Sequence, residues 1–406
     1  MKNSLVTKDV SLWCIIAITS IPLIMTLGNS MLIPVLPIFE EKVGISSFET
    51  SLIITTYSIS AIIVIPIAGY LSDRFGRKKI IVPSLLITVI GGLIAGYASW
   101  KIDDPFVLII LGRVLQGIGA AGTSPIVLPL VGDLYKNDDA KASQCLGIVE
   151  TSNTFGKVLS PIIGSLLAVF LWFLPLFSIA AFGLISLILI MFFVKVPKEK
   201  SDPPKFSQFV NKTKAVFKKE GRWLFVIFII GGFIMLILFG VLFYLSDLFE
   251  KQHELFGVKK GFALAIPLIC LCIAAFVTGK KIKGNFLLMK WIIVVSIAIA
   301  SISIMFIGVA SEEIEILFLV TSINGIAIGT ALPALDALIT ENIEKEMRGT
   351  ITSFYSSARF VGVASGPPIM SALMNDYLNL TYVMAGVIGL FIVALVLIFI
   401  KPPKYV

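Results

Sequence analysis

The chain has 406 residues, of which 57% are hydrophobic and 14% are charged, and its formal net charge is +8 at pH 7. Soluble domains carry about 25% charged residues, so this composition excludes a water-soluble globular protein of this length. The four cysteines and the single histidine show no spacing typical of a disulfide framework or a metal site.

Apolar runs long enough to cross a membrane recur along the whole chain. A hydrocarbon core of ~30 Å needs about 20 apolar residues in a helix, and lipid forces the backbone to hydrogen-bond within that helix. We therefore predict an all-α membrane protein with twelve transmembrane helices. The first run is too long for a signal peptide and is predicted to remain as a helix. The predicted spans are Leu12–Ile38, Ser51–Leu71, Ile80–Ala98, Phe106–Val131, Ala142–Phe170, Trp172–Val194, Trp223–Leu248, Gly261–Thr278, Trp291–Val309, Ile314–Ile339, Thr350–Met374 and Tyr382–Ile400.

The placement of lysine and arginine predicts the orientation in a cell membrane. With the N-terminus in the cytoplasm, cytoplasmic segments hold 25 of the 33 Lys and Arg residues, and both termini are cytoplasmic. The basic residues flank membrane spans, where they meet anionic lipid, so the positive charge does not indicate nucleic-acid binding.

Internal repeats predict two pseudo-symmetric six-helix bundles. The segments Gln116–Thr123 and Asn324–Thr330 correspond to each other, and so do Leu36–Glu40 and Leu245–Glu250. Duplicated halves are common in transporters, with the substrate site between the halves near the midplane. The pattern therefore favours alternating access by rocking of the two halves.

The division predicted from these repeats is an N-terminal bundle over 1–196, a cytoplasmic linker over 197–222 and a C-terminal bundle over 223–406. The linker carries eight Lys and Arg residues and has aromatic residues at helical spacing. It is either a helix lying on the inner leaflet or a flexible basic connection.

The loop between the second and third spans, Gly69–Lys79, has an unusual order of residues. Gly69 allows two helices to approach closely, Gly76 permits a tight turn, and the basic residues after it contact anionic lipid. The simple alternative is a positively charged cytoplasmic loop. The segment resembles the signature motif of the major facilitator superfamily. The matching residues are Gly69, Leu71, Asp73, Arg74, Gly76, Arg77 and Lys78.

That resemblance implies the major facilitator fold. It also implies that the motif latches the cytoplasmic side and takes part in the conformational switch. In the family an acidic residue at the end of the fourth helix often joins the motif, and Asp133 stands at that position.

The fourth span carries Arg113 and Gln116 in a run of small residues. An arginine inside a membrane helix costs at least ~2.5 kcal/mol, so Arg113 should face a polar cavity or a partner. Alternatively it extends towards the outer surface. The run resembles a motif of proton-coupled family members, which implies that Arg113 takes part in proton transfer.

The fifth span places Gly156, Ser160 and Gly164 four residues apart, which predicts a groove for a neighbouring helix. Pro161 kinks this helix and frees a backbone carbonyl. The segment resembles the antiporter motif of the family, although Ser160 and Ser165 replace two of its glycines, and the resemblance implies an exporter. Gly366–Pro367 repeats the pattern in the eleventh span.

Glu150 and Lys157 are seven residues apart, so they share a face of the fifth span, and Asn153 lies close to it. An ionisable group inside the membrane is by default a functional candidate. We interpret Glu150 as the proton-coupling acid or a ligand for a cationic substrate. A structural charge pair with Lys157 or an arginine is the alternative.

Arg359 in the eleventh span corresponds by the repeat to Asn153, which predicts that it reaches the same cavity. Asp336 and Asp247 are interpreted as gate or interface residues, and His253 as a solvated loop residue. The predicted lining of the substrate cavity is Asn29, Tyr57, Gln116, Asn153, Lys157, Asn324, Tyr355 and Arg359.

The favoured function is a monomeric, proton-coupled exporter of amphipathic drugs. It has the proton gradient as its energy source and no metal or other cofactor. A carrier for an anionic or zwitterionic metabolite is the first alternative. Lys157, Arg113 and Arg359 suggest it, and so does Asn29, which stands where many drug pumps place an acid. A non-transporting membrane sensor or scaffold is the second alternative. No catalytic constellation indicates an enzyme.

Overall fold

The computed structural model describes residues 11–135, 139–195, 206–282, 285–343, 345–374 and 376–400. Those residues form fifteen α-helices and one short 3₁₀ helix, Ile33–Val35. The α-helices, numbered α1 to α15, are Leu12–Ser30, Leu36–Val43, Ser47–Phe75, Arg77–Lys101, Phe106–Ala121, Ser124–Leu134, Asp139–Phe170, Leu174–Phe193, Phe206–Lys251, Gly257–Lys281, Phe286–Met305, Ile307–Ala310, Ile314–Asn342, Lys345–Leu373 and Leu378–Phe399.

These helices make up the twelve predicted spans, which we number in chain order. The first span joins α1, the 3₁₀ helix and α2; the fourth joins α5 and α6; the ninth joins α11 and α12; every other span is a single helix. Eleven spans of the described chain are long and apolar enough to cross a membrane by composition alone. The eleventh span, α14, is equally long but more polar, and it packs against the second and seventh spans.

Proline residues explain the two main breaks. Pro34 and Pro37 stand where the first span changes from α1 through a 3₁₀ turn to α2. The fourth span is interrupted at Gly122 and Thr123, directly before Pro125. Proline has no backbone N–H to donate to the preceding turn, so the helix stops and restarts at these points.

The linker prediction requires a correction. The helix α9 runs without a break from Phe206 to Lys251, so the predicted boundary at residue 222 lies inside it, and the segment is neither a separate surface helix nor a flexible connection. The physical reason is aromatic packing, because Phe217 contacts Phe228 of the same helix and Phe354 of the eleventh span. Residues 197–205 lie outside the described part.

The two halves have the same internal packing. In the first half the first span packs against the fifth, the second against the fourth, and the third against the fourth and sixth. The second half has the corresponding pairs, seventh with eleventh, eighth with tenth, and ninth with tenth and twelfth. Two symmetric contacts join the halves, between the second and eleventh spans and between the fifth and eighth. The predicted fold of two pseudo-symmetric bundles is confirmed.

Candidate functional site

A central cavity of about 160 Å³ lies between the two halves. It is bounded by the first, second, fourth and fifth spans on one side and by the seventh and eleventh on the other. Most of its wall is apolar, with Met25, Met235, Phe239 and Phe360 among the lining side chains. The polar and charged residues in the wall are Thr26, Asn29, Ser30, Tyr57, Ser124, Glu150, Asn153, Lys157, Ser356 and Arg359.

Lys157 is a buried cation of the cavity wall without a direct partner among the described residues. Its side chain is 7% exposed, and Nζ has no hydrogen-bond partner among the described residues. Glu150 accepts a hydrogen bond of 3.3 Å from Asn153 Nδ2, and Thr26 donates to the amide oxygen of Asn153. The charge pair between Glu150 and Lys157, left open above, is therefore not formed as a direct contact.

Arg359 has a carboxylate partner that the sequence analysis did not assign to it. Its Nη1 lies 3.8 Å from Oδ1 of Asp336 in the tenth span, and its guanidinium stands over the ring of Tyr355 at 5.6 Å. Tyr355 is 1% exposed and supports Arg359 from outside the cavity, rather than lining it as predicted. A search for opposite charges on adjacent membrane helices would have suggested the pair with Asp336.

Arg113 is fully buried and does not extend to the outer surface. It donates hydrogen bonds to Ile53 O at 2.8 Å, Gln116 Oε1 at 2.5 Å and Asn29 Oδ1 at 2.6 Å. Its guanidinium also lies over the ring of Tyr57 at 4.5 Å. Neutral acceptors thus hold this cation, and it orients Asn29 and Tyr57, which reach the cavity.

Two predicted lining residues lie elsewhere. Gln116 is fully buried as an acceptor for Arg113, and its Nε2 has no partner among the described residues. Asn324 donates to Ala300 O at 3.1 Å and Ser303 Oγ at 3.0 Å, so it joins the tenth span to the ninth. Neither side chain reaches the central cavity.

The predicted groove of the fifth span holds the first span. A Cβ added to Gly156 would stand 2.9 Å from Leu23 O, and one added to Gly164 would overlap the carbonyl of Met31. Ser160 stays within this groove because its hydroxyl donates to Gly156 O at 2.5 Å. The small residues therefore set the packing inside the first half.

The adjacent face of the fifth span forms the boundary between the halves. A Cβ on Gly261 of the eighth span would stand 2.5 Å from Pro161 O and 2.9 Å from Ser165 Cβ. In the eleventh span, Gly366 precedes Pro367, and its Cβ would stand 2.7 Å from Leu236 O of the seventh span. This second contact lies inside the second half and corresponds to the packing of the fifth span on the first, whereas the contact of Gly261 joins the two halves.

The motif residues lie together at one end of the molecule, which we call the Asp73 end. Arg77 donates to Ser72 Oγ at 2.8 Å, to Asp133 Oδ2 at 3.0 Å and to Asp73. Gly76 has φ +100°, a conformation that side-chain-bearing residues rarely adopt. Gly69 faces the eleventh span; its Cβ would stand 3.3 Å from a serine hydroxyl.

The other arginine of the motif, Arg74, donates to the hydroxyl of Tyr70 at 3.2 Å. A second pocket of about 480 Å³ opens beside the motif, and Asp73, Arg77 and Asp133 are in its wall. Pro125 and Leu128 line this pocket and the central cavity, so the two spaces adjoin.

The opposite end, which we call the Lys251 end, is closed by contacts between the halves. Ser246 Oγ donates to Ile33 O at 2.9 Å. Lys251 Nζ lies 2.7 Å from Asp247 and 3.9 Å from Glu40. The repeated segments Leu36–Glu40 and Leu245–Glu250 therefore meet here, which their sequence correspondence alone did not reveal.

A further contact closes the same end, because Ser371 of the eleventh span donates to Ser47 of the second at 3.2 Å. In the conformation described, the molecule is thus held shut at the Lys251 end and has a large pocket at the Asp73 end.

Comparison with known proteins identifies the family. A model of the Major Facilitator Superfamily matches residues 18–311 and again residues 287–406. The chain belongs to the major facilitator superfamily. It is a multi-pass membrane transporter and not an enzyme, and the resemblance drawn from its motifs is confirmed.

Three similar proteins place the chain within that family. The bacillibactin exporter of Bacillus subtilis (strain 168) is 52% identical over 383 residues, which are 93% of this chain and 95% of the relative. Multidrug resistance protein 2 of the same organism is 25% identical over 368 residues, 89% and 88% of the two chains. The crystal structure of a D-xylose-proton symporter shares the fold with a TM-score of 0.76 at 15% identity, over 97% of this chain and 98% of the other.

Proposed function

We propose that the chain exports a siderophore, or a similar acidic small molecule, across the cell membrane by alternating access. The observation that carries this proposal is the 52% identity to the bacillibactin exporter over nearly the full length of both chains. At that level of identity the two proteins have the same arrangement of helices, and a related substrate is the simplest expectation.

The charges around the cavity agree with an acidic substrate. Two cationic side chains, Lys157 and Arg359, and one carboxylate, Glu150, are in its wall. The first span contributes Asn29, a neutral amide that Arg113 holds in place. Asp336 neutralises Arg359, and Arg113 adds a positive charge behind Asn29. With Lys157 and Glu150, these groups carry three positive and two negative charges, which favours an acid over a cationic drug.

The transport cycle begins from the described conformation. If the Asp73 end is cytoplasmic, as the distribution of Lys and Arg favours, substrate enters from the cytoplasm through the pocket beside the motif. Rocking of the halves then opens the Lys251 end by breaking the contacts of Ser246, Lys251 and Ser371. Arg77 keeps its place in the first half throughout and sets how closely the second and eleventh spans approach.

Proton coupling completes the proposal, with Glu150 as the group that accepts a proton on the outer side and releases it on the inner. A carboxyl that is neutral in one orientation and charged in the other changes the charge of the cavity by one unit. The membrane potential contributes ~2.3 kcal/mol per 100 mV for each charge moved, enough to concentrate a substrate more than tenfold.

Export of bacillibactin tests the proposal directly. The chain is expressed in a Bacillus subtilis strain that lacks its own bacillibactin exporter, and the siderophore in the medium is measured under iron limitation. We expect secretion to be restored, and to fall when a protonophore dissipates the gradient. Unrestored secretion, with the protein present in the membrane, would contradict the proposed substrate.

Drug efflux is a second candidate, supported by the 25% identity to Multidrug resistance protein 2. Efflux of a cationic dye from loaded cells, with and without the protonophore, separates it from siderophore export. Rapid dye efflux combined with no bacillibactin secretion would favour the drug pump.

A further inference from the structure

Within the described part of the chain, Lys157 differs from the other buried membrane cations in having no hydrogen-bond or ion-pair partner for its ammonium group. Arg113 has three acceptors, Arg359 has Asp336, and Lys260, which is 2% exposed, pairs with Glu250. Lys157 Nζ has no hydrogen-bond partner among the described residues, although its side chain is 93% buried. Removing one ion from water without a compensating contact is costly, so such a group is a place for an oppositely charged ligand.

Lys157 is in the cavity wall, but its Nζ is covered in the described conformation, so a ligand reaches it once the side chain turns into the cavity. Glu150 is seven residues away along the same helix, a rise of about 10 Å, and Asn153 donates to it. Arg359, the other cation of the cavity wall, already has Asp336 at 3.8 Å. Among the described residues, the ammonium of Lys157 thus has neither a hydrogen-bond acceptor nor a direct ion pair.

The rest of the cavity limits what this ligand is. Its wall beside the polar groups is apolar and aromatic, with Met25, Met235, Phe239 and Phe360. A volume of about 160 Å³ is close to that of an engineered cavity that binds benzene, so one aromatic ring fits here, and a larger molecule extends into the adjoining pocket beside the motif. The ligand that fits has an apolar, ring-sized body and one oxyanion group.

We propose that Lys157 is the anion anchor of the cavity, and that the transported molecule binds as an aromatic or similarly apolar acid whose carboxylate or other oxyanion contacts Nζ of Lys157. The proposal rests on the proposed function in taking the central cavity as the substrate site. It goes further by assigning the recognition of the ligand's negative charge to one residue, Lys157.

Binding of three matched probes to the purified full-length protein at pH 7 tests the anchor. The probes are 2-naphthoate, 2-naphthamide and 2-naphthylmethylammonium, which share one ring system and differ in charge. Because a hydrogen bond to a charged group is worth about 10- to 100-fold in affinity, the acid should bind to wild type more tightly than the amide by that factor. The ammonium compound should bind most weakly.

Substitutions then locate the preference. Lys157→Met should abolish the advantage of the acid over the amide, while Lys157→Arg should retain it in part because the positive charge remains. Lys260→Met is the matched control, since it removes another buried lysine at a distance from the cavity, and the preference for the acid should persist. Each affinity ratio is measured within one variant, so differences in stability between variants cancel.

Two results would overturn the anchor: equal binding of the acid and the amide to wild type, or an undiminished preference for the acid in Lys157→Met. If Lys157→Met fails to fold, equal binding of the acid and the amide to wild type still refutes the anchor, and Lys157→Arg tests its assignment to this residue. Failure of bacillibactin export with a lysine-dependent preference for 2-naphthoate would refute the siderophore and leave the anchor standing. Restored bacillibactin export together with no lysine-dependent preference for 2-naphthoate would refute the anchor and leave the proposed substrate standing.

Discussion

Replacing Gly261 by alanine should open the Lys251 end of the transporter. Gly261 lies near the start of the eighth span, where it faces the fifth span across the boundary between the halves. The added Cβ would stand 2.5 Å from Pro161 O and 2.9 Å from both Cβ and Oγ of Ser165. The carbonyl oxygen belongs to the backbone, so it cannot turn away, and the two helices must separate by about 0.5–1 Å to reach normal contact.

The expected cost follows from that overlap. Overpacking a close contact costs about 1–3 kcal/mol. The gain in helix propensity from glycine to alanine, about 1 kcal/mol, is the same in both orientations and therefore cancels from the balance between them. A conformation open at the Lys251 end loses the crowded contact, so it should gain about 1–3 kcal/mol relative to the closed one, a shift of about 5- to 150-fold in population.

The shift is measured by labelling a cysteine that the closed end protects. Ser371→Cys is placed in a chain whose four native cysteines are replaced, because Ser371 is 8% exposed beside Ser47. A membrane-impermeant maleimide should label this cysteine about 5-fold faster, or more, once Gly261→Ala is added. Gly279→Ala, in the same helix with its nearest neighbour at 3.9 Å, is the control and should leave the rate unchanged. Equal labelling of the two alanine variants would refute the reasoning.

Three further predictions concern the charged groups. Glu150→Gln should abolish the acceleration of export by a proton gradient in proteoliposomes and preserve substrate exchange, whereas full proton drive would exclude Glu150 as the coupling acid. Arg77→Lys should slow transport turnover several-fold and leave the affinity for 2-naphthoate unchanged, because an ammonium cannot make the three directed hydrogen bonds of the guanidinium. Unchanged turnover would contradict a role of Arg77 in the conformational switch. Glu40→Gln should change the free energy of unfolding by less than about 1 kcal/mol, because its partner Lys251 lies 3.9 Å away and is 58% exposed. It should also accelerate labelling less than Gly261→Ala does. A larger effect would show that the pair of Glu40 and Lys251 holds the Lys251 end closed more strongly than its geometry indicates.

The number and order of the helices could be predicted from the sequence because membrane solvation leaves few choices. A run of about 20 apolar residues has to be a helix, so composition alone locates most spans. The length of α9 could not be predicted in the same way. Its segment from Phe206 to Arg222 is polar, and its helical continuation depends on contacts such as Phe217 with Phe354, which belong to residues far apart in sequence.

The cavity was harder to predict than the helices because a sequence does not fix which face of a helix turns inward. Asn29, Tyr57, Asn153, Lys157 and Arg359 do line the central cavity.

Two of the predicted lining residues that do not reach the cavity are related by the internal repeat. Gln116 and Asn324 occupy corresponding positions in the two halves, and both are buried as supports for neighbouring helices. The repeat therefore placed them in equivalent environments, but it could not show that this environment is a helix interface. A polar residue two turns inside the membrane satisfies the same sequence pattern in either place.

The positions of the charges limit how transport and charge can be coupled. Glu150 and Lys157 are on one helix, so the spacing of about 10 Å between their backbone positions stays the same whichever way the halves rock. Arg359 and Asp336 both belong to the second half, and their pairing also moves as a unit. Only distances across the boundary between the halves change during the cycle.

An anion bound to Lys157 would add negative charge facing Arg359 and increase the attraction between the halves. A proton on Glu150 would remove negative charge from the same face and decrease that attraction. An acidic substrate and a proton thus act in opposite directions on one cross-boundary interaction. Because this interaction spans the distances that change when the halves rock, the two ligands bias the balance between the orientations in opposite directions.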